Sequence, residues 1–249
     1  MSLIGIIGGS GLSQYPGLQI DESRDMETAF GMPSAPLRIG RLNQHQVVFL
    51  PRHGDNHHIA PHRINYRANI DALRQLGVSH ILAVAAVGGI SEEYGPGTLA
   101  VPDQLIDYTH SREVSFFSDA FSADKHIDFT YPYHPAVREA ILEAGRKLTL
   151  NPVDGGTYGA VQGPRLETAA EIRRMAKDGC DLVGMTGMPE AYLAKEAGIP
   201  YATLAVVANW AAGVTGSELS MAEIEQTLAG GIDNVRALIA GVIGLPSLR

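Results

Sequence analysis

One cysteine, one tryptophan, 6% aromatic residues and fewer basic than acidic side chains are the shortages of this 249-residue chain. A lone Cys180 cannot close an internal disulfide. That excludes a disulfide-built scaffold, fits a cytoplasmic compartment, and makes Cys180 a buried structural thiol rather than a nucleophile. Nineteen Lys and Arg stand against 27 Asp and Glu, a formal net charge of −8. This disfavours nonspecific nucleic-acid binding, and any anionic ligand has to be held by a local cluster against the overall field. No run of about 18 uncharged apolar residues occurs, and no basic segment precedes an apolar stretch at the start, so neither a membrane span nor a signal peptide is expected. Repeats and low-complexity linkers are missing too.

What is present is a core: 45% of the residues are hydrophobic, enough for one large globular unit. Short β-rich runs alternate with segments of helical period, which predicts an α/β fold in a single domain over residues 1–249, with a central mixed β-sheet flanked by helices. Leu3 to Ile7, Gln46 to Leu50, Ile81 to Val87, Val101 to Ile106, Leu182 to Met185 and Tyr201 to Ala208 read as strands. Most are apolar on both faces, as buried strands are. Arg63 to Leu76, Pro135 to Leu148, Thr168 to Lys177, Glu190 to Ala197 and Ala222 to Val242 read as helices. Ser220-Met221-Ala222-Glu223 fits a capping box, and Gly77 and Gly198 fit C-terminal caps. Tyr108 to Tyr133 has no clear period, and an irregular stretch of that length is usually functional or a contact surface.

Chemistry gathers where strands end. Gly8-Gly9-Ser10-Gly11 follows the first strand and sets flexible amides beside a hydroxyl, a nest suited to an oxyanion, although a plain tight turn uses the same residues. It is neither G-x-G-x-x-G nor a P-loop. Pro51-Arg52-His53-Gly54 follows another strand, where a guanidinium fork and an imidazole can clamp the same anion. Ala86-Val87-Gly88-Gly89 and Met185-Thr186-Gly187-Met188 add amides and a hydroxyl. Four such loops on one edge suggest one site. His53, His57, His58 and His62 crowd together, but Gly54 and Pro61 oppose the continuous helix that a His53 and His57 metal pair needs, so no metal is expected. Glu167 opens a helix after Gln162-Gly163-Pro164-Arg165-Leu166. It is either a carboxylate favoured by the helix N-terminus or an acceptor for N1–H of a 6-oxopurine. Asn209 ends an apolar strand with an amide, which can donate to a purine O6 and accept from a protonated N7, where a carboxylate only accepts.

These motifs, with Asn65-Tyr66-Arg67-Ala68-Asn69, Gly163-Pro164-Arg165, Pro189-Glu190 and Leu193-Ala194-Lys195-Glu196-Ala197-Gly198, resemble the trimeric nucleoside phosphorylases, 5′-methylthioadenosine phosphorylase branch, nearly end to end. The resemblance implies a nucleoside phosphorylase-like fold and phosphorolysis of a purine nucleoside, with inorganic phosphate as co-substrate and no metal or organic cofactor. It further implies Ser10, Arg52, His53, Ala86 and Thr186 around phosphate, Met185 against the ribose, and a homotrimer or a dimer of trimers. His126 is implied as a lid that one subunit lends to its neighbour's 5′ group.

The departures from that branch are informative. Its members carry Asp at the places of Asn209 and Ala211 and Ser at the place of Glu167. The Glu and Asn found here are what 6-oxopurine-specific enzymes use. Those enzymes hold the 5′-hydroxyl with a His, where this chain has Met221, with Ile224 one turn on. An apolar thioether cannot satisfy a hydroxyl and favours a methylthio group. Leu166 replaces the Phe that stacks on the base, and Ala85 replaces a hydroxyl that often binds phosphate. The expected reaction is phosphorolysis of S-methyl-5′-thioinosine to hypoxanthine and 5-methylthioribose 1-phosphate, with Asn209, Glu167 and His53 as the catalytic set. Alternatives are inosine or guanosine phosphorolysis, 5′-methylthioadenosine phosphorolysis, a nucleoside hydrolase whose usual Asp cluster is missing, and a purine-binding module without turnover.

Overall fold

The computed structural model describes residues 2–9, 12, 15, 17–216, 220–245 and 248. Eleven strands form one mixed sheet: β1 (Ile4–Gly8), β2 (Gln19–Arg24), β3 (Leu37–Leu42), β4 (His45–Pro51), β5 (His80–Gly89), β6 (Leu99–Val101), β7 (Gln104–Asp107), β8 (Val153–Asp154), β9 (Thr157–Ala160), β10 (Leu182–Gly184) and β11 (Tyr201–Trp210). The main path runs β2-β3-β4-β1-β5-β10-β9-β7, with β11 on β5 and β6, and β8 on β6. The five helices are α1 (Tyr66–Gln75), α2 (Pro135–Lys147), α3 (Ala169–Asp178), α4 (Gly187–Glu196) and α5 (Met221–Ile243).

The pleat sorts the core into layers, because successive strand side chains leave opposite faces. Ile6, Val47, Phe49, Leu82 and Leu204 pack under α2 and α5, while Ile7, Val48, Leu50, Ile81 and Ala83 pack under α1 and α4. Strand β5 sits at the centre. Its first half pairs with β1, its last residues with β10, and β11 runs beside it in parallel. Its run of small residues permits this crowding. A Cβ on Gly89 would lie 1.8 Å from the Tyr94 carbonyl oxygen, so only glycine fits.

The expected strands and helices are found with shifted ends at most of them, except the strand over Val101 to Ile106. The expected strand over Val101 to Ile106 is two strands, β6 and β7, with different partners. Pro102 separates them, since proline offers no N–H to a ladder. The helix expected from Arg63 begins at Tyr66, where Asn65 caps it by accepting from the Ala68 N–H. Gly77 and Gly198 take positive φ at the ends of α1 and α4. The Ser220 side chain accepts from the Glu223 N–H at the head of α5, and a complete capping box is found at Thr168 and Glu171. Between Tyr108 and Tyr133 the chain is irregular except for a single 3₁₀ turn at Ala123–Lys125. No helix among the described residues is long and apolar enough to cross a membrane.

Candidate active site

Strands β1, β4, β5 and β11 run parallel and end on one edge, the usual place for a ligand in such sheets. Gly8 lies opposite Pro51, and the Arg52 N–H donates to the Gly8 carbonyl at 2.8 Å. A Cβ on Gly9 would lie 3.9 Å from both Arg52 Nη1 and His53 Cδ2, so the first two strand-end loops face one another. Ser10, expected beside them, lies outside the described residues. On β5, Ala86 is exposed between buried neighbours, which marks an opening above the centre of the sheet.

Arg52 is 2% exposed, and its fork is closed by Glu190 of α4 through Nε and Nη2 at 2.7 and 2.8 Å. Its Nη1 donates to the Val84 carbonyl at 2.8 Å. Burial works against the guanidinium charge, but the Glu190 carboxylate outweighs it and holds Arg52 protonated. Tyr201 donates to the same carboxylate at 2.9 Å. The Thr186 N–H donates to the buried Tyr158 hydroxyl at 3.4 Å, so Thr186 is anchored from below at the head of α4. Glu190, Tyr201 and Tyr158 have no role in the sequence-based expectation. A carboxylate in the wholly buried helical run from Gly187 to Ala191 was the available signal, because such a charge requires a partner.

His53 Nδ1 lies 2.8 Å from the Ile59 carbonyl, which only accepts, so Nδ1 carries the proton. Burial, helped by the charges of Arg52 and His57, drives the His53 pKa down to about 4 against the pull of that carbonyl. The ring is neutral at physiological pH, with Nε2 as its acceptor. Residues 52–57 form turns rather than a helix, and the His53 and His57 rings pack 4.4 Å apart. Among the described residues no group of three or more His, Cys, Asp or Glu is arranged to hold a metal.

At the other end, a bulge between Val207 and Asn209 turns β11 so that Asn209 faces Gly88 across the ladder. Asn209 is half-buried and its amide donates to the Trp210 carbonyl at 2.7 Å. Two contacts bring this strand end to the loop that carries Glu167. Val161, Ala211 and Ala212 share one apolar cluster with Met185, and a Cβ on Gly213 would lie 2.4 Å from the Ala169 Cβ at the start of α3. Gly163, at positive φ, lets its backbone approach Met185: a Cβ there would lie 2.6 Å from the sulfur. Glu167 is half-buried. Burial raises its pKa, the Glu171 carboxylate adds to this, and Arg165 opposes it. Leu166 is exposed beside it. A cavity of about 560 Å³ opens next to Glu167, lined also by Tyr108, His110, Gln162 and Arg174 but not by Arg52, His53 or Asn209.

Met221 heads α5 and is 59% exposed, with Ile224 half-buried one turn on. His126 is exposed and packs edge-on against Phe121 at 5.0 Å. No hydrogen bond, ion pair or ring contact among the described residues ties these three to the strand-end set. The Arg52 fork, expected to face an anion, is thus turned onto Glu190 and the Val84 carbonyl as a buried, charge-compensated pair beside a neutral His53, while Asn209 and Glu167 are only half-buried.

A family model described as the phosphorylase superfamily matches residues 3–244. The "Probable S-methyl-5′-thioinosine phosphorylase" of Xylella fastidiosa is 51% identical over 96% of this chain and 97% of its own length. The "6-oxopurine nucleoside phosphorylase" of Pyrococcus furiosus is 42% identical over 98% of this chain and 93% of its own. Among solved structures, a methylthioadenosine phosphorylase from an antarctic soil metagenomic library superposes with a TM-score of 0.90 at 38% identity, covering 96% of this chain and 84% of that one.

Proposed function

From a chain that belongs to the phosphorylase superfamily, we propose that it cleaves S-methyl-5′-thioinosine with inorganic phosphate, giving hypoxanthine and 5-methylthioribose 1-phosphate. The observation that supports this reading is the contact between the chain just after Asn209 and the chain just after Glu167. A Cβ on Gly213, four residues after Asn209, would lie 2.4 Å from the Ala169 Cβ, two residues after Glu167, and Ala211 and Ala212 share an apolar cluster with Met185.

Phosphate is the nucleophile and attacks C1′ as the glycosidic bond lengthens. The sugar gains positive charge and the departing purine negative charge, so an anion held against the sugar stabilises the transition state. Arg52, His53, Thr186, the Ala86 amide and Ser10 hold that anion, and Met185 lies against the ribose. Asn209 supports N7 as it takes up a proton, and Glu167, ionised, accepts from N1–H. Met221 and Ile224, with His126 from a neighbouring subunit, close over the 5′ group. The working form is a cytoplasmic homotrimer of one domain per chain, without metal or organic cofactor, and neither nucleic acid nor membrane is a partner. Turnover of inosine is the second reading. The exposure of Met221 favours it, because an apolar pocket that is only partly closed discriminates weakly.

Following hypoxanthine and adenine release from methylthioinosine, inosine, methylthioadenosine and adenosine, with and without phosphate, tests the proposal. Phosphate-dependent hypoxanthine release, fastest from methylthioinosine, is expected. Faster adenine release from methylthioadenosine, or release in phosphate-free buffer, would refute it.

A further inference from the structure

Arg112 lies in the irregular segment after β7, and its five N–H donors have five acceptors on three other parts of the chain. Nε donates to Gln162 Oε1 at 3.1 Å, and Nη1 donates to the Tyr66 hydroxyl and the Met188 carbonyl. Nη2 donates to the carbonyls of Val161 and Gln162 at 3.1 and 2.8 Å. The guanidinium also sits over the Tyr66 ring, 5.4 Å from its centroid. None of these acceptors is a carboxylate, so the side chain's contribution is geometric: a rigid planar fork that only arginine provides. The Met188 carbonyl is within reach because Met188 has extended φ and ψ of −122° and 142° just before Pro189, which takes it out of the helical ladder of α4. Gln162 Oε1 accepts from the His110 N–H as well, which ties the same segment down at a second point.

We infer that Arg112 is a positioning residue that locks the loop leading to Glu167 onto the loop of Met185 to Met188, fixing the separation between the base grip and the anion cradle. The inference rests on the proposed function, because it needs Glu167 at the base and Thr186 at the phosphate. All five Arg112 donors are taken by the protein, so none is left for a ligand. Phosphorolysis requires the attacking oxygen and the leaving base to be held on opposite sides of C1′ at one distance, and a misplacement of about 1 Å costs about 100-fold in rate.

The test compares Arg112→Met and Arg112→Lys with wild type by thermal melting, kcat, KM for phosphate, and the ratio of kcat/KM for methylthioinosine over methylthioadenosine. Both variants are expected to melt cooperatively, with kcat/KM down by about 100-fold, KM for phosphate raised and the base ratio reduced. In a third variant, Arg112→Ala, guanidinium ion far below denaturing concentration is expected to restore part of the activity, and methylammonium is not. Variants that melt earlier but keep wild-type kinetics per folded molecule would overturn the inference, as would failure of both Met and Lys variants to fold, which would assign Arg112 to the fold alone. Wild-type enzyme lacking phosphate-dependent hypoxanthine release sinks the proposed function and this inference with it. A wild-type enzyme that turns over alongside unchanged variants sinks the inference only.

Discussion

The two ends of the site are built on opposite principles. At the proposed anion end, Arg52 and Glu190 are 2% and 0% exposed, and each has its charge answered within the chain. At the proposed base end, Glu167 and Asn209 are half-buried, Leu166 and Met221 are exposed, and no cation among the described residues bonds to Glu167. The Arg52 end is paired within the chain, and a buried pair of that kind resists change because loss of one partner strands the other. At the proposed base end the Asn209 amide is held only by the neighbouring Trp210 carbonyl and Glu167 is half-buried, so if these side chains grip the base, single exchanges there are expected to alter substrate preference more than stability.

The contrast can be broken at its rigid end first. Glu190→Ala leaves the Arg52 charge buried without its partner and is expected to cost about 3–5 kcal/mol in chemical denaturation. A loss below 1 kcal/mol would mean that the pair is not what holds the cradle. At the open end, Asn209→Asp removes the donor to O6 and is expected to move selectivity toward 6-amino purines by about 100-fold or more, with melting unchanged. Competitive turnover of methylthioinosine and methylthioadenosine measures it. Met221→Ser is expected to raise inosine turnover relative to methylthioinosine by only about 10-fold, the range an apolar contact commands. The cap at the head of α3 is a smaller contribution. Thr168→Ala is expected to lose about 1 kcal/mol, seen as a lower melting temperature without a change in base preference.

Acidity separates the ends as well. Between pH 6.5 and about 4 the unfolded chain protonates its histidines while folded His53 does not, so His53 subtracts stability as pH falls through that window. His53→Gln is expected to flatten that part of a stability-against-pH curve, and an unchanged slope would contradict the buried neutral ring. Glu167 has the opposite sign. Its raised pKa means that the folded state keeps a proton the unfolded chain has lost, so its ionisation costs stability as pH rises above the ordinary carboxylate range. If ionised Glu167 accepts from the base, kcat/KM falls on the acid side at a higher pH than an ordinary glutamate would give, and Glu167→Gln removes that limb.

Legibility followed burial. β1, β4, β5 and β11 announce themselves because they are apolar on both faces, and their ends carry the glycines, Arg52, His53 and Asn209 within a few residues. β2 was not readable: its six residues are all exposed, so no alternation marks it, and it forms only by pairing with β3. The same limit applies at the site. Arg52 reads as an anion clamp from its own neighbours in sequence, but Glu190 is 138 residues away and only the packing of α4 brings it there. Arg112 is hidden more deeply, because four of its five acceptors are backbone carbonyls or an amide oxygen, and the fifth is a tyrosine hydroxyl; none leaves a trace in spacing.

A crystal of the enzyme with hypoxanthine and phosphate tests the central claim most directly. The account predicts the Asn209 amide within hydrogen-bond distance of O6 and N7, and the Glu167 carboxylate within the same reach of N1. Either side chain turned away from the purine would contradict it.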